Sequence, residues 1–239
     1  MNRLTLDMGY PLDARHDWVR LAAAYQQAKP FPHVVIDDFL ERRLALETAR
    51  ALRRIKEPFW QNEDHDDQVF KFWCDNPEAV PQPGRDLLYW FNSGTMLAIA
   101  EKLTNIRGLL PDLDYHGGGV HRTKPGGRLS VHCDYNVHPV TQLHRRVNAL
   151  YFLNETWRPE WGGQLELWSA DMKQCVQKIE PVLNRLVLFT ITDTAFHGVP
   201  APVDAPVDRY SLALYYFTAD RPESEKSDPH MALWQQPQA

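Results

Sequence analysis

Two histidines and one aspartate are the residues of this chain best suited to chemistry. In RLSVHCDYN (128–136), Leu129 and Val131 alternate with polar neighbours, as in a β-strand. On a strand, side chains two apart share a face, so His132 and Asp134 project together and Cys133 points away. They supply one nitrogen and one oxygen to a metal. A third ligand must come from elsewhere, and His197 in TDTAFHGVP, 63 residues after Asp134, is the best candidate. Two histidines and a carboxylate occupy one face of an octahedron and leave the opposite face open. That is the arrangement of non-haem Fe(II) oxygenases, in which a chelating cosubstrate takes two positions and dioxygen the third.

A chelating 2-oxo diacid also needs a handle for its far carboxylate. Arg209 follows His197 by twelve residues and opens the apolar run RYSLALYYF. Its guanidinium fork matches a carboxylate with two parallel, charge-assisted hydrogen bonds. Ser211 shares its face and adds a hydroxyl.

These residues need a scaffold of short strands. From residue 117 onward such runs appear between turn signals: GVHRT, LSVHCD, VNALYFLN, QLELWS, CVQKIEP, NRLVLFTI and RYSLALYYFT. At least seven strands over about a hundred residues predict a sandwich or barrel-like jelly roll. The first third is expected to be mainly helical, over 17–28, 40–55 and 85–104, the last interrupted at Asn92-Ser93-Gly94. HVVID (33–37) reads as a strand between the first two helices. The aromatic, acidic stretch 57–84 reads as a long irregular connection suited to a substrate lid over the site. The expected organisation is a helical support over 1–114, a catalytic core over 115–220 and a polar tail over 221–239, in which Met231, Leu233 and Trp234 could dock on the body.

Bulk composition agrees with a globular protein. Of 239 residues, 44% are hydrophobic and 24% charged. The 26 basic and 31 acidic residues give a formal charge of −5, which offers no electrostatic case for a nucleic-acid or membrane partner. Cys74, Cys133 and Cys175 form neither a disulfide framework nor a zinc pattern, and reduced thiols in a cytoplasmic protein are the expectation. No apolar run approaches the roughly 20 residues that span a bilayer.

Taken together, H-x-D, a distant His, R-x-S and an intervening WGGQLELW resemble the 2-oxoglutarate and Fe(II)-dependent dioxygenases, most closely the prolyl 4-hydroxylase-like branch. The resemblance is carried by VHCDYN (131–136), VNALYFLNETW (147–157), WGGQLELW (161–168), IEPVLNRLVLFT (179–190), FHGVPAP (196–202) and DRYSLALYYFT (208–218), with an echo in FPHVVIDDFL (31–40). It implies a double-stranded β-helix core flanked by N-terminal helices. It also implies iron on His132, Asp134 and His197, and 2-oxoglutarate held by Arg209 with Ser211. Dioxygen would be the co-reactant and ascorbate an optional reductant. The implied reaction decarboxylates the cosubstrate to succinate and hydroxylates an unactivated C–H bond of a prolyl, peptidyl, amino-acid or other small-molecule substrate. Many relatives hold the cosubstrate with a further tyrosine two strands earlier. Here VNALYFLN offers Asn148 facing inward, with Tyr151 and Phe152 nearby, so Asn148 is the expected second anchor.

Other patterns weigh less. His65, Asp66 and Asp67 lie in a polar run, the usual setting of solvated charge. GGGVHRTKPGG (117–127) lacks the spacing of a phosphate loop, although His121, Arg122 and Lys124 could line the site. The rival readings are a cupin-type metalloenzyme of other chemistry and a non-catalytic binding domain. The first normally takes three or four histidines, and the second normally loses a metal ligand.

Overall fold

The computed structural model describes residues 16–235. Its elements are α1 (Trp18–Gln27), β1 (His33–Ile36), α2 (Arg42–Leu52), β2 (Gln61–Asn62), β3 (Gln68–Cys74), α3 (Gly84–Phe91), α4 (Gly94–Thr104), β4 (Leu110–Pro111), β5 (Gly119–Cys133), β6 (His144–Phe152), β7 (Leu165–Trp168), β8 (Cys175–Ile179), β9 (Arg185–Thr190), β10 (His197–Val199), β11 (Arg209–Thr218) and β12 (Leu233–Trp234). Local chemistry sets the helix ends. Asp17 accepts from the amides of Val19 and Arg20 at the start of α1, and Ser93 accepts from Met96 at the start of α4. The expected break at Asn92-Ser93-Gly94 is therefore the boundary between α3 and α4.

The strands form a curled antiparallel sheet with central order β1-β9-β6-β11-β5-β10-β7-β8. This is the expected double-stranded β-helix. The hinge is β5, where the two expected strands GVHRT and LSVHCD are one. Its first part, 119–123, pairs with β11, and its second part, 129–132, pairs with β10. Between them Pro125-Gly126-Gly127 turns the chain, with Gly126 at φ +83, a conformation that favours glycine. His132 and Arg209 thereby face one cavity from two layers.

Alternation along the central strands separates core from site. On β6, Val147, Ala149 and Tyr151 face the helices, and on β11 Tyr210, Leu212, Leu214 and Tyr216 do the same. They pack with Leu52, Leu87, Phe91, Met96 and Leu103, all buried. Each such Leu, fully removed from water, contributes roughly 1.5–3 kcal/mol. The opposite face of the same strands carries Asn148, Arg209, Ser211 and Tyr215 towards the cavity.

One expectation needs correction. Residues 57–84 are not an irregular connection, because β3 pairs antiparallel along β5, with Gln68 opposite Leu129 and Lys71, Phe72, Trp73 and Cys74 opposite Thr123 to Val120. The register shifts at Phe70, whose φ is +47, where β3 follows the turn in its partner. Aromatic and β-branched residues were available for a strand here, but the pairing partner lies some fifty residues downstream. The tail is also partly built: β12 pairs with β5 at Cys133 and His132, and Trp234 docks on the body while Met231 stays exposed.

Candidate metal centre and the pocket behind it

Antiparallel pairing places His197 directly opposite His132, with ring centroids 4.6 Å apart. Asp134 lies just beyond the end of β5, within reach of both. His132 Nε2 is 3.6 Å from one carboxylate oxygen and His197 Nε2 is 3.3 Å from the other. The three ligand atoms lie within 4.8 Å of one another, and no other cluster of at least three potential metal ligands occurs among the described residues. The acidic run 62–68 forms none. Its His65 instead bridges to Gln68 and packs edge-on against Trp234.

The outer partners of these residues prepare them for a metal. His132 Nδ1 bonds the Ser130 carbonyl at 2.8 Å, and His197 Nδ1 bonds the Ala195 carbonyl at 2.9 Å. A carbonyl can only accept, so each Nδ1 carries the proton and each Nε2 keeps its lone pair for the cavity. Burial pushes the Asp134 carboxyl up, but the Arg145 guanidinium and the two imidazoles outweigh it and hold Asp134 well below the usual carboxylate range. Two imidazole nitrogens and one ionised carboxylate oxygen, converging from one side, fit a divalent iron ion.

Arg145 was not visible as a site residue from sequence. It is 1% exposed, and its Nη2 lies 3.0 Å from Asp134 Oδ2. The guanidinium stacks 3.5 Å from the Tyr215 ring centroid and 4.5 Å from that of Tyr135. Asn148 completes the unit: its amide nitrogen donates to Asp134 Oδ2 at 2.7 Å, and its oxygen accepts from Arg145 at 2.8 and 3.0 Å. Asn148, expected as a second cosubstrate anchor, is thus committed to the metal carboxylate. It also lies four residues along β6 from Phe152, the ring beneath Arg209, and a strand rises roughly 3.4 Å per residue.

Arg209 stands at the far end of the cavity. Its Nε donates to the Gly163 carbonyl at 2.8 Å, which leaves the two terminal nitrogens for a ligand. The double glycine of WGGQLELW serves this contact. Gly163 sits at φ +70, and a Cβ there would come within 2.9 Å of Trp157 and 3.3 Å of the Arg209 side chain. Burial lowers the Arg209 pKa to about 10, and no neighbouring carboxylate offsets it. Among the described residues the arginine is therefore a buried cation without an anion. Ser211 is buried on the same face of β11 and lines the cavity.

The cavity joining the two ends measures about 220 Å³. His121 forms part of its wall. Burial, with Lys71 adding to it, holds this imidazole far below its usual range, and it bonds the Gly117 carbonyl at 3.1 Å. Arg122 turns to the other face of β5, where Glu57 takes it in two hydrogen bonds at 2.8 and 3.0 Å. Lys124 lies over Phe72, 4.5 Å from its centroid, outside the cavity lining. Cys133 faces away from the ligands, as expected, and packs with Val131, Met172 and Phe196. Trp234 lies tilted against His132, ring centroids 4.8 Å apart, and lines the cavity.

Lys71, from β3, also lines the cavity. Burial pushes its pKa down to about 8, against roughly 10.4 for a free lysine. Below pH 8 both folded and unfolded chains carry the proton, and the enclosed charge costs stability. Between about 8 and 10.4 the unfolded chain binds more protons, so stability rises with pH until the cost has gone. The ligand-free Lys71→Met variant is therefore expected to melt higher than wild type at pH 7, with the gap closing by about pH 10.5. Melting curves across that range check this, and a gap that widens with pH would contradict it.

Residues 118–217 match the sequence model of the 2OG-Fe(II) oxygenase superfamily. Prolyl 3-hydroxylase OGFOD1 of Mus musculus is 29% identical over 77 residues, a match covering 30% of this chain and only 14% of the mouse protein. Two solved structures share the fold across most of the chain. A Pseudomonas putida prolyl-4-hydroxylase is 24% identical with a TM-score of 0.57, covering 83% of this chain and 98% of its own. A prolyl hydroxylase from Trichoplax adhaerens, in complex with a hypoxia inducible factor oxygen degradation domain peptide fragment, is 22% identical with a TM-score of 0.60, covering 84% and 90%.

Proposed function

We propose, from the match of residues 118–217 to the 2OG-Fe(II) oxygenase superfamily, that this protein is a 2-oxoglutarate-dependent hydroxylase acting on a C–H bond of a peptidyl or small-molecule substrate. The observation that carries the proposal is the convergence of His132, Asp134 and His197 at one end of a cavity whose other end is an unpaired, buried Arg209. Iron(II), held by these three ligands, would supply a Lewis acid with open positions for a chelating 2-oxo acid and for dioxygen.

The remaining work falls to the chain. His132 and His197 present Nε2 because their Nδ1 protons are held by backbone carbonyls. Arg145 and Asn148 position Asp134 and keep it ionised. Arg209, with the Ser211 hydroxyl beside it, receives the distal carboxylate and so fixes which end of the cosubstrate faces the metal. Leu129, Leu150, Leu165 and Val199 give the cavity apolar walls that exclude water from the reacting centre. The prolyl hydroxylases among the similar proteins support a prolyl or peptidyl substrate, and the small cavity supports a small molecule.

The test is succinate formation from 2-oxoglutarate in air with added Fe(II), followed by NMR. Slow turnover without substrate is expected, falling at least about a hundredfold in His197→Ala. Wild-type protein that yields no succinate would contradict the proposal, as would a variant that matches it.

A further inference from the structure

The cavity holds one cation more than its chemistry so far requires. Lys71 lies on β3, beside the core strands rather than among them. Register places Lys71 opposite Thr123 on one edge of β5 and Arg209 opposite Thr123 on the other. Residues paired across a sheet share a face, so all three project into the cavity, and the two cations stand two strand spacings apart, roughly 10 Å at the backbone. The ammonium has one hydrogen-bond partner, the neutral Gln68 side-chain oxygen at 3.3 Å, and forms no ion pair among the described residues. The ammonium also lies 5.9 Å from the Trp73 ring centroid, so Gln68 aims the group and neither neighbour brings a negative charge.

The other charges are accounted for. Asp134 belongs to Arg145 and the metal. With its Nε tied to Gly163, Arg209 offers two terminal nitrogens, which satisfy both oxygens of the cosubstrate's distal carboxylate. Bound together, iron(II) and doubly charged 2-oxoglutarate add no net charge to the cavity. With both bound, Lys71 is still a partly buried cation without an anion among the described residues, a state that favours capture of a negative group.

Two further features limit the size of what brings that charge. Along β5, β3 and β12 cover one edge while β11 and β10 cover the other, so a peptide could not add itself there as a strand without displacing the tail. The cavity, about 220 Å³, lies below the roughly 300–1,000 Å³ of pockets that take drug-sized ligands.

Building on the hydroxylase reading, we propose that Lys71, oriented by Gln68, binds the carboxylate of a small acidic substrate. Lys71 then selects a free acid, such as an unblocked amino acid, over a prolyl residue inside a peptide. The amide and hydroxyl groups that recognise a peptide backbone have no need of this charge, whereas a free carboxylate does.

The test is a panel of free L-amino acids including L-proline, with N-acetyl-L-proline, L-prolinamide and the blocked peptide acetyl-Gly-Pro-Gly-amide. Acceleration of succinate formation and binding followed by intrinsic tryptophan fluorescence are both read. For wild type, at least one free acid is expected to bind and accelerate turnover, with its amide at least about tenfold weaker. Lys71→Met should raise KM and Kd for that acid by at least about tenfold, with the Kd for 2-oxoglutarate within about twofold of wild type, and Lys71→Arg should recover most of the loss. The proposal is overturned if Lys71→Met weakens 2-oxoglutarate and not the acid, which would assign the lysine to the cosubstrate. It is overturned equally if amides and the blocked peptide match the acids, or if no acid in the panel binds. Absence of succinate from wild type under every condition is a different failure: it removes the hydroxylase reading, and the subsite with it.

Discussion

Replacing Arg145 with methionine is expected to destabilise the metal-free protein by about 3–5 kcal/mol, the usual cost of stripping one partner from a buried ion pair. The size follows from what Arg145 holds. Asp134 loses the positive charge that most strongly keeps it ionised, and Asn148 loses both donors to its oxygen. Tyr215 and Tyr135 lose a cation stacked between them. A methionine fills much of the volume but cannot answer a buried carboxylate, whose folded pKa must then rise. Iron affinity should fall by about 10- to 100-fold, as for other groups that orient a ligand from behind. Urea unfolding of apo protein and anaerobic Fe(II) titration measure the two effects. Because bound iron supplies positive charge to the same carboxylate, the stability gap should narrow when Fe(II) saturates both proteins. A loss below about 1 kcal/mol, with iron affinity unchanged, would show that Asp134 does not depend on Arg145.

Arg209→Met should act in the opposite direction on stability and more severely on function. Among the described residues no carboxylate pairs with Arg209, and burial moves its pKa down to about 10. Removing that charge relieves a desolvation cost, so the apo variant should melt no lower than wild type. Its 2-oxoglutarate affinity should fall by about 2–5 kcal/mol, at least about thirtyfold, as when one partner of a desolvated charge pair is truncated. The linkage is direct: a ligand that binds only the folded state raises its melting temperature. Saturating 2-oxoglutarate with a divalent metal should therefore stabilise wild type and leave the variant nearly unmoved. A variant that unfolds readily and still binds 2-oxoglutarate would place the carboxylate elsewhere. The contrast between the two arginines separates a charge paired within the fold from one held for a ligand.

How much of this was legible in the sequence depends on how local each signal is. The alternation in LSVHCD puts His132 and Asp134 on one face, and the same rule joins Arg209 to Ser211, so both pairs could be read from adjacent residues. The strand pattern after residue 117 pointed to a sandwich or jelly roll, the motif resemblance narrowed that to the β-helix, and the Asn92-Ser93-Gly94 break marked two helices. What stayed hidden depends on register between distant segments. Lys71 enters the cavity because β3 pairs with β5 through an irregularity at Phe70, and nothing within 57–84 announces that partner. Arg145 looks like a surface charge at a strand start until Asp134, eleven residues earlier, is folded back against it. Asn148 was correctly expected to face inward, but two strong partners at the metal end claim it. Trp234 lies in a polar tail whose docking depends on the edge that β5 leaves open to β12.

The most direct test of the central claim is an anaerobic titration of the protein with Fe(II) and 2-oxoglutarate, followed in the visible range. A weak charge-transfer band is expected to grow to saturation at one iron and one 2-oxoglutarate per chain, and to be absent in Asp134→Ala. A wild-type protein that develops no band, or an Asp134→Ala variant that develops the same one, would contradict an iron centre built on His132, Asp134 and His197.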